Sequence, residues 1–283
     1  MPVCLVSDTC HYLPRDLVAA NDIHEVSLYV HRAGEARRES ELSDYTAYYA
    51  QLGSSAELPT TSQPSIGDFL AVYEPLLEAG NEIVSIHLAG GMSGTVRAAE
   101  QARDQLGERG SRVRIIDSTT ACGGEGLMLL AAAAAARTGA DGAEVEARAR
   151  EARRRLKLWF AIDTLEYLRR GGRIAGAQAW LGTALRIKPI LSVESEITPI
   201  ERVRTSRRAF EKLVGLLETC REEGLDGWVV QHIQAHDQVA ELEARGRAIF
   251  GTDPVIVSEI GPVIGTHVGP GLLGAGGVPR SLL

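Results

Sequence analysis

The chain has no apolar run approaching the ~20 residues that a membrane span requires. Its opening residues, Met1-Pro2-Val3-Cys4-Leu5-Val6, enter a strand-like segment directly, without the basic flank, apolar centre and cleavage site of a secretory signal. The four cysteines (Cys4, Cys10, Cys122 and Cys220) include no CxxC pair. These absences point to a cytoplasmic protein with reduced, structural thiols. Lysine is scarce, with three against 27 arginines, and we assign that bias no function. The net charge of −7 and a pI near 5.6 exclude a broadly nucleic-acid-binding surface. His232 and His236 stand four apart, as zinc ligands on one helix face would, but they straddle a strand end and no third ligand suggests itself. Neither a metal nor a cofactor is expected.

What is present is a chain of 283 residues, 45% hydrophobic, with a mean hydropathy near zero. That length favours two domains over one, each with a substantial core. Over 1–157, strand-like segments at 3–6, 24–30, 83–88 and 113–116 alternate with helical ones near 14, at 41–52, 66–79, 95–106, 126–137 and 142–156. Ser43 or a neighbour caps the second helix and Ser65 the third, with Pro75 interrupting or ending it. This alternation predicts a doubly wound, mostly parallel sheet. In such sheets ligands gather beyond the strands' carboxyl ends, the edge shared by Asp8, Ser93 and Asp117. Over 158–283, strands at 158–162, 187–193, 197–203, 227–233 and 255–260 and helices at 175–184, 206–222 and 237–248 include a hairpin around Ser195. This half is expected to be an α+β domain with a mixed or antiparallel sheet, the boundary falling between 157 and 158.

Several polar segments stand at strand ends. Gly90-Gly91-Met92-Ser93-Gly94-Thr95 lies between a strand and a helix, an arrangement that offers backbone N–H groups to an anion. It lacks the lysine and spacing of a phosphate-binding loop, so a carboxylate or single phosphate fits better than a nucleotide. Read alone, Ser93 serves as a helix cap. Thr60-Thr61-Ser62 adds hydroxyls between two prolines. Gly261 to Gly271 holds four glycines and two prolines in eleven residues and is expected to be a loop, neither helix nor uninterrupted strand, that presents Thr266 and His267. Asp8 and Asp117 either pair with His87 or His267 or cap helices. Ser93 with His267 is not set in a G-x-S-x-G elbow, which leaves a hydrolase as the second choice.

Taken together, these segments resemble, in order and type, the DegV family of bacterial fatty-acid-binding proteins. The resemblance rests on Ser7-Asp8-Thr9, Thr60-Thr61-Ser62-Gln63-Pro64-Ser65, Ser93-Gly94-Thr95 and Ile116-Asp117-Ser118. It rests further on Asp163-Thr164-Leu165-Glu166-Tyr167-Leu168-Arg169-Arg170-Gly171-Gly172-Arg173-Ile174, on Ile187-Lys188-Pro189-Ile190-Leu191 and on 261–271. It implies one long-chain fatty acid in an interdomain tunnel, its carboxylate held by Thr61, Ser62, Ser93, Thr266 and His267. Gly94 and Gly265 would allow close backbone approach, with Arg170 near enough to favour the ionised acid. It also implies a non-catalytic subunit that presents the carboxylate to a separate kinase subunit for acyl-phosphate formation, with Arg173 and Arg204 facing that kinase and membrane contact at most transient. The alternatives are a stand-alone acyl hydrolase or transferase using Ser93 and His267, and a carrier for another amphipathic carboxylate. The chain departs from the family at Ala89-Gly90-Gly91-Met92, after Asp117-Ser118, and at Gly274-Ala275-Gly276-Gly277, where a more apolar strand is usual.

Overall fold

The structure, a computed structural model, describes residues 1–54, 58–181 and 187–283. The first half runs β1 (Val3–Asp8), α1 (Arg15–Ala20), β2 (Ile23–Val26), β3 (Tyr29–Arg32), β4 (Glu35–Arg38), α2 (Tyr45–Ser54), β5 (Thr60–Ser62), α3 (Ile66–Glu78), β6 (Glu82–His87), α4 (Thr95–Gln105), β7 (Val113–Asp117), α5 (Gly123–Arg137) and α6 (Gly142–Arg155). The second half runs β8 (Lys157–Ala161), α7 (Glu166–Arg170), β9 (Lys188–Glu194), β10 (Glu196–Val203), α8 (Ser206–Glu222), β11 (Gly227–His232), α9 (His236–Phe250), β12 (Ile256–Glu259), α10 (Pro262–Val268) and β13 (Leu273–Val278).

The fold is two-domain α/β. Strands β2-β1-β6-β7 form a wholly parallel sheet. Its alternating residues divide between two cores. Val6, Ile83 and Val113 face Phe69, Tyr73 and Ala99 of α3 and α4, while Leu5, Val84, Ile86 and Ile116 face α5 and α6. The period of two in these strands sorts the side chains onto opposite faces, and helices cover both. Strands β10-β9-β8-β13-β11-β12 form a mixed sheet in which only β11 and β12 are parallel. A small antiparallel sheet, β4-β3-β5, sits apart from both.

Helix α5 joins the domains. Its residues Leu127 to Ala133 are all buried, and it packs on β1 and β6 as well as on β8, β11 and β13. A helix apolar all round must be covered all round. Alanines supply that apolarity while keeping the helix narrow enough to lie between two sheets.

Local signals placed most boundaries. Ser65 and Asp68 form a reciprocal capping box at the start of α3, and Pro75 lies inside that helix without ending it. The neighbour that caps α2 is Asp44, whose Oδ1 accepts from Ala47 N at 2.9 Å. Four expectations need correction. Residues 24–30 are not one strand: the chain leaves β2 at Val26 and enters a different sheet at Tyr29. Residues 261–271 are not simply a loop, because α10 occupies Pro262–Val268. The sequence count of glycines and prolines ignored position. Pro262 stands at the first helical position, where its missing N–H is harmless, and Gly269 ends the helix at φ 77°. The segment expected as a helix at 175–184 is a 3₁₀ turn over Ala175–Trp180, and 182–184 lie outside the described residues. Finally, the glycine-rich 273–278 is a buried central strand between β8 and β11. Its small residues leave room for α5 and α8.

A candidate ligand-binding site between the two domains

Strand β5 pairs antiparallel with β3, setting Thr61 opposite Val30. Helix α10 brings His267 to the same place from the far end of the chain. Thr61 Oγ1 and His267 Nε2 lie 2.8 Å apart, across 206 residues of sequence. These two side chains, with Ser62, Gln63, Ser93 and Arg173, make the polar end of a cavity between the domains.

The rest of the cavity is greasy. Leu28, Leu88, Met92, Ala121 and Cys122 come from the first domain. Leu158, Phe160, Leu168, Val193, Ile197, Ile260, Val263, Ile264, Val268 and Leu272 come from the second. Gln231 also lines the cavity, and its amide is already engaged by Gly123 N, Ser258 Oγ and the His11 carbonyl; Trp159 adds an indole. The space free of protein atoms, mouth included, is about 920 Å³, and side chains from both domains line it closely. The cavity is therefore a narrow slot. It suits a thin apolar ligand with one polar end.

Burial, helped by the positive charge of Arg173, lowers the His267 pKa from 6.5 to about 4, so the ring is neutral at pH 7. Its Nδ1 is buried and has no hydrogen-bond partner among the described residues. That nitrogen rests on Gly171, where an added Cβ would sit under 3.0 Å from it. Arg173 is exposed; its guanidinium donates to Gly171 O at 2.9 Å and to Met92 O at 3.3 Å. It thus ties the turn after α7 to the loop before Ser93.

The remaining expected residues separate into two groups. Ser62 lines the cavity and bonds His31 Nε2 at 2.8 Å; Ser93 lines it and bonds Thr95 Oγ1 at 2.8 Å. Five others do not line it. Gly94 lies against Gln63, and Gly265 makes its close approach to the Tyr49 ring. Thr266 is 1% exposed and turned the other way, bonded to Tyr48 Oη at 2.5 Å and donating to Pro262 O at 2.7 Å. Arg170 is exposed outside the cavity. Arg204 is exposed on a surface groove beside Arg202, Arg208, Glu211 and Lys212. Arg173, expected on an outer surface only, also borders the cavity. Sequence reasoning did not single out Gln63, Met92, Cys122 or Gln231 as lining residues. Gln63 and Met92 sat inside quoted loops, whereas Cys122 and Gln231 carried no local signal.

Among the described residues, no nucleophile is assembled at this site. Ser93 and His267 share the cavity, but each is bonded elsewhere, to Thr95 and to Thr61. Asp8 does pair with His87, whose Nδ1 lies 3.2 Å from Oδ2, and Ser85 Oγ completes that chain at 2.7 Å from Nε2. All three are wholly buried, so this serine–histidine–aspartate row is sealed from any substrate. Asp117 accepts from Gly90 N and Thr119 N and meets no histidine. His232 and His236 touch edge to face at 4.9 Å, and no metal-binding cluster of three or more His, Cys, Asp or Glu occurs among the described residues. Nor is any described helix long and apolar enough to cross a membrane.

Comparison with known proteins gives a consistent result. Residues 2–280 match the family model described as "Uncharacterised protein, DegV family". A DegV domain-containing protein of Clostridium acetobutylicum is 36% identical over 278 residues, covering 97% of this chain and 96% of the relative. Among solved structures, a DegV family protein of Thermus thermophilus, described for its fatty acid binding, superposes with a TM-score of 0.89 at 34% identity, covering 99% of this chain and all of the other. The DegV of Bacillus subtilis, described as a fatty acid binding protein, gives a TM-score of 0.89 at 31% identity, with the same coverage.

Proposed function

The chain belongs to the DegV family, and we propose on that premise that it binds one long-chain fatty acid with its carboxylate at Thr61, Ser93 and His267. The observation that carries this reading is the narrow apolar slot ending in a cluster of hydroxyl and imidazole groups. With the imidazole proton on Nε2, His267 donates to Thr61, whose own proton is then free for a carboxylate oxygen. Ser62 and Gln63 complete a ring of donors, and Arg173 supplies the positive charge that an ionised acid needs when removed from water. The tail contributes most of the affinity, each buried CH₂ adding about 0.8 kcal/mol.

The proposal extends to a binding subunit, cytoplasmic, whose bound carboxylate is phosphorylated by a separate kinase subunit. Arg173, exposed beside the head group, and Arg204 are the side chains proposed to face that kinase, with domains of 1–157 and 158–283 closing on the ligand. Enclosure between them would shield an acyl phosphate from water.

Native mass spectrometry of gently purified protein tests the reading. A retained mass of a long-chain fatty acid is expected, and a nonlipid ligand would overturn it in favour of another amphipathic carboxylate. Turnover of an activated acyl ester without added kinase would instead revive the hydrolase alternative.

A further inference from the structure

The first turn of α10 poses an accounting question, because a helix start leaves its backbone N–H groups without partners. Pro262 has none to satisfy, and Gly265 N already reaches Gly261 O at 2.9 Å. Gly261 offers no side-chain cap. The two remaining donors find partners far away in sequence. Val263 N donates to Glu39 Oε1 at 2.8 Å and Ile264 N to Tyr12 Oη at 3.2 Å. Tyr12 Oη in turn donates to Glu39 Oε1 at 2.9 Å, and Thr9 Oγ1 donates to Glu39 Oε2 at 2.6 Å. One carboxylate, 2% exposed, thus collects three donors and caps the helix that carries His267 one turn further on.

We propose that Glu39 is a positioning residue for the head-group site: by holding the first turn of α10 it keeps His267 against Thr61, and its ionisation sets how firmly. The proposal rests on the reading that His267 orients Thr61 at the ligand's acid group. Glu39 does not line the cavity, whereas Val263 and Ile264 do, so its influence runs through α10. Strand β4, just before it, is exposed at all four residues, and the chain dips inward at Glu39.

The groups facing Glu39 are mostly neutral or acidic. Asp8 ends β1, Cys10 and Tyr12 follow it, and Cys122 precedes α5. From α2 come Tyr45, Tyr48 and Tyr49. A small cleft on its other side adds His11, Arg15, Glu25 and Glu259. Burial raises the Glu39 pKa from 4.5 to about 7 against the lowering effect of its hydrogen bonds. The ionised form accepts all three donors. Protonation turns one oxygen into a donor and releases part of the cap.

A double-mutant cycle tests this, with palmitate displacing a fluorescent fatty-acid analogue. Glu39→Ala is expected to weaken palmitate about tenfold when His267 is present and less than about twofold in a His267→Ala background. Equal weakening in both backgrounds, or none in either, overturns the proposal. If His267→Ala alone leaves affinity unchanged, it is the head-group reading that fails. Should Glu39→Ala not fold, Glu39→Gln serves in the same cycle with the same criteria. A second readout comes from urea unfolding. Relative to wild type, the Glu39→Gln midpoint is expected to rise between about pH 4.5 and pH 7 and then level off, since only wild type must there ionise a buried acid. A difference that stays flat across that range contradicts the ionisation half of the proposal.

Discussion

Placing an alanine at Gly171 separates ligand positioning from stability. The backbone there has φ −79° and ψ −4°, angles that alanine adopts freely, so the substitution introduces no backbone strain. Its entropic effect on the unfolded chain is stabilising by about 0.4–1 kcal/mol. The new methyl, however, would stand under 3.0 Å from His267 Nδ1 and 3.2 Å from its Cε1. Non-bonded carbon contacts settle near 3.5 Å or beyond, so the ring must move by roughly half an ångström or more. The Thr61–His267 bond, now 2.8 Å, then stretches past a useful length. That bond joins two neutral groups and is worth about 0.5–1.5 kcal/mol, so palmitate affinity should fall about twofold to tenfold. Displacement titration measures that loss, and urea unfolding should give a midpoint within about 1 kcal/mol of wild type. Undiminished affinity in a protein whose ring has shifted would refute the argument that His267 orients Thr61 for the carboxylate. An unshifted ring would refute the packing argument.

Other outcomes follow from the same geometry. Thr61→Val and His267→Ala should each weaken palmitate by about tenfold and, at pH 7, lower stability by only about 1 kcal/mol, since each removes one partner of a part-buried hydrogen bond. Shortening the ligand from sixteen to fourteen carbons should cost about 1.6 kcal/mol if both methylenes are buried, which a chain-length series in the displacement assay reads directly. His267 gives a pH signature of its own. The unfolded histidine takes up a proton below about pH 6.5, the folded one only near pH 4, so this group withdraws stability as pH falls across that window, by up to about 3 kcal/mol. Glu39 acts in the opposite sense over nearly the same range, so the two slopes oppose each other in wild type. Urea midpoints of His267→Ala against wild type should therefore diverge in favour of the variant as the pH drops, and parallel curves would disprove the depressed pKa. Finally, Gly261→Ala sets a methyl 2.7 Å from Glu39 Oε1 and 2.6 Å from the Tyr12 ring. It should lower both stability and palmitate affinity, a joint loss unlike the selective one expected at Gly171.

Much of the fold was legible in single stretches. The apolar runs of β1 and β6 announced buried strands, because a strand covered on both faces reads as nearly continuous apolar residues. Ser65 marked the start of α3, since a cap acts on the turn that follows it. Polar strand ends at Thr61 and Ser93 were visible as candidates for the same reason. The reading of 261–271 failed because the number of glycines and prolines was weighed and their positions were not. A proline at the first helical turn and a glycine after the last are compatible with a helix, and only Gly265, inside it, needed the distant Tyr49 ring to explain it.

What the sequence by itself determined is therefore the local layer: most strands of the two larger sheets, the capped helices, the alanine-rich helix α5, and a set of polar residues at strand ends. Which of those residues meet was decided by tertiary structure alone. Thr61 and His267 touch across 206 residues, while Thr266, adjacent in sequence, points to Tyr48. The neutral state of His267 and the poised acid of Glu39 depend likewise on burial by distant elements. Periodicity and capping are fixed by a residue's near neighbours along the chain, whereas a hydrogen-bond partner or a shifted pKa depends on what packing brings within a few ångströms.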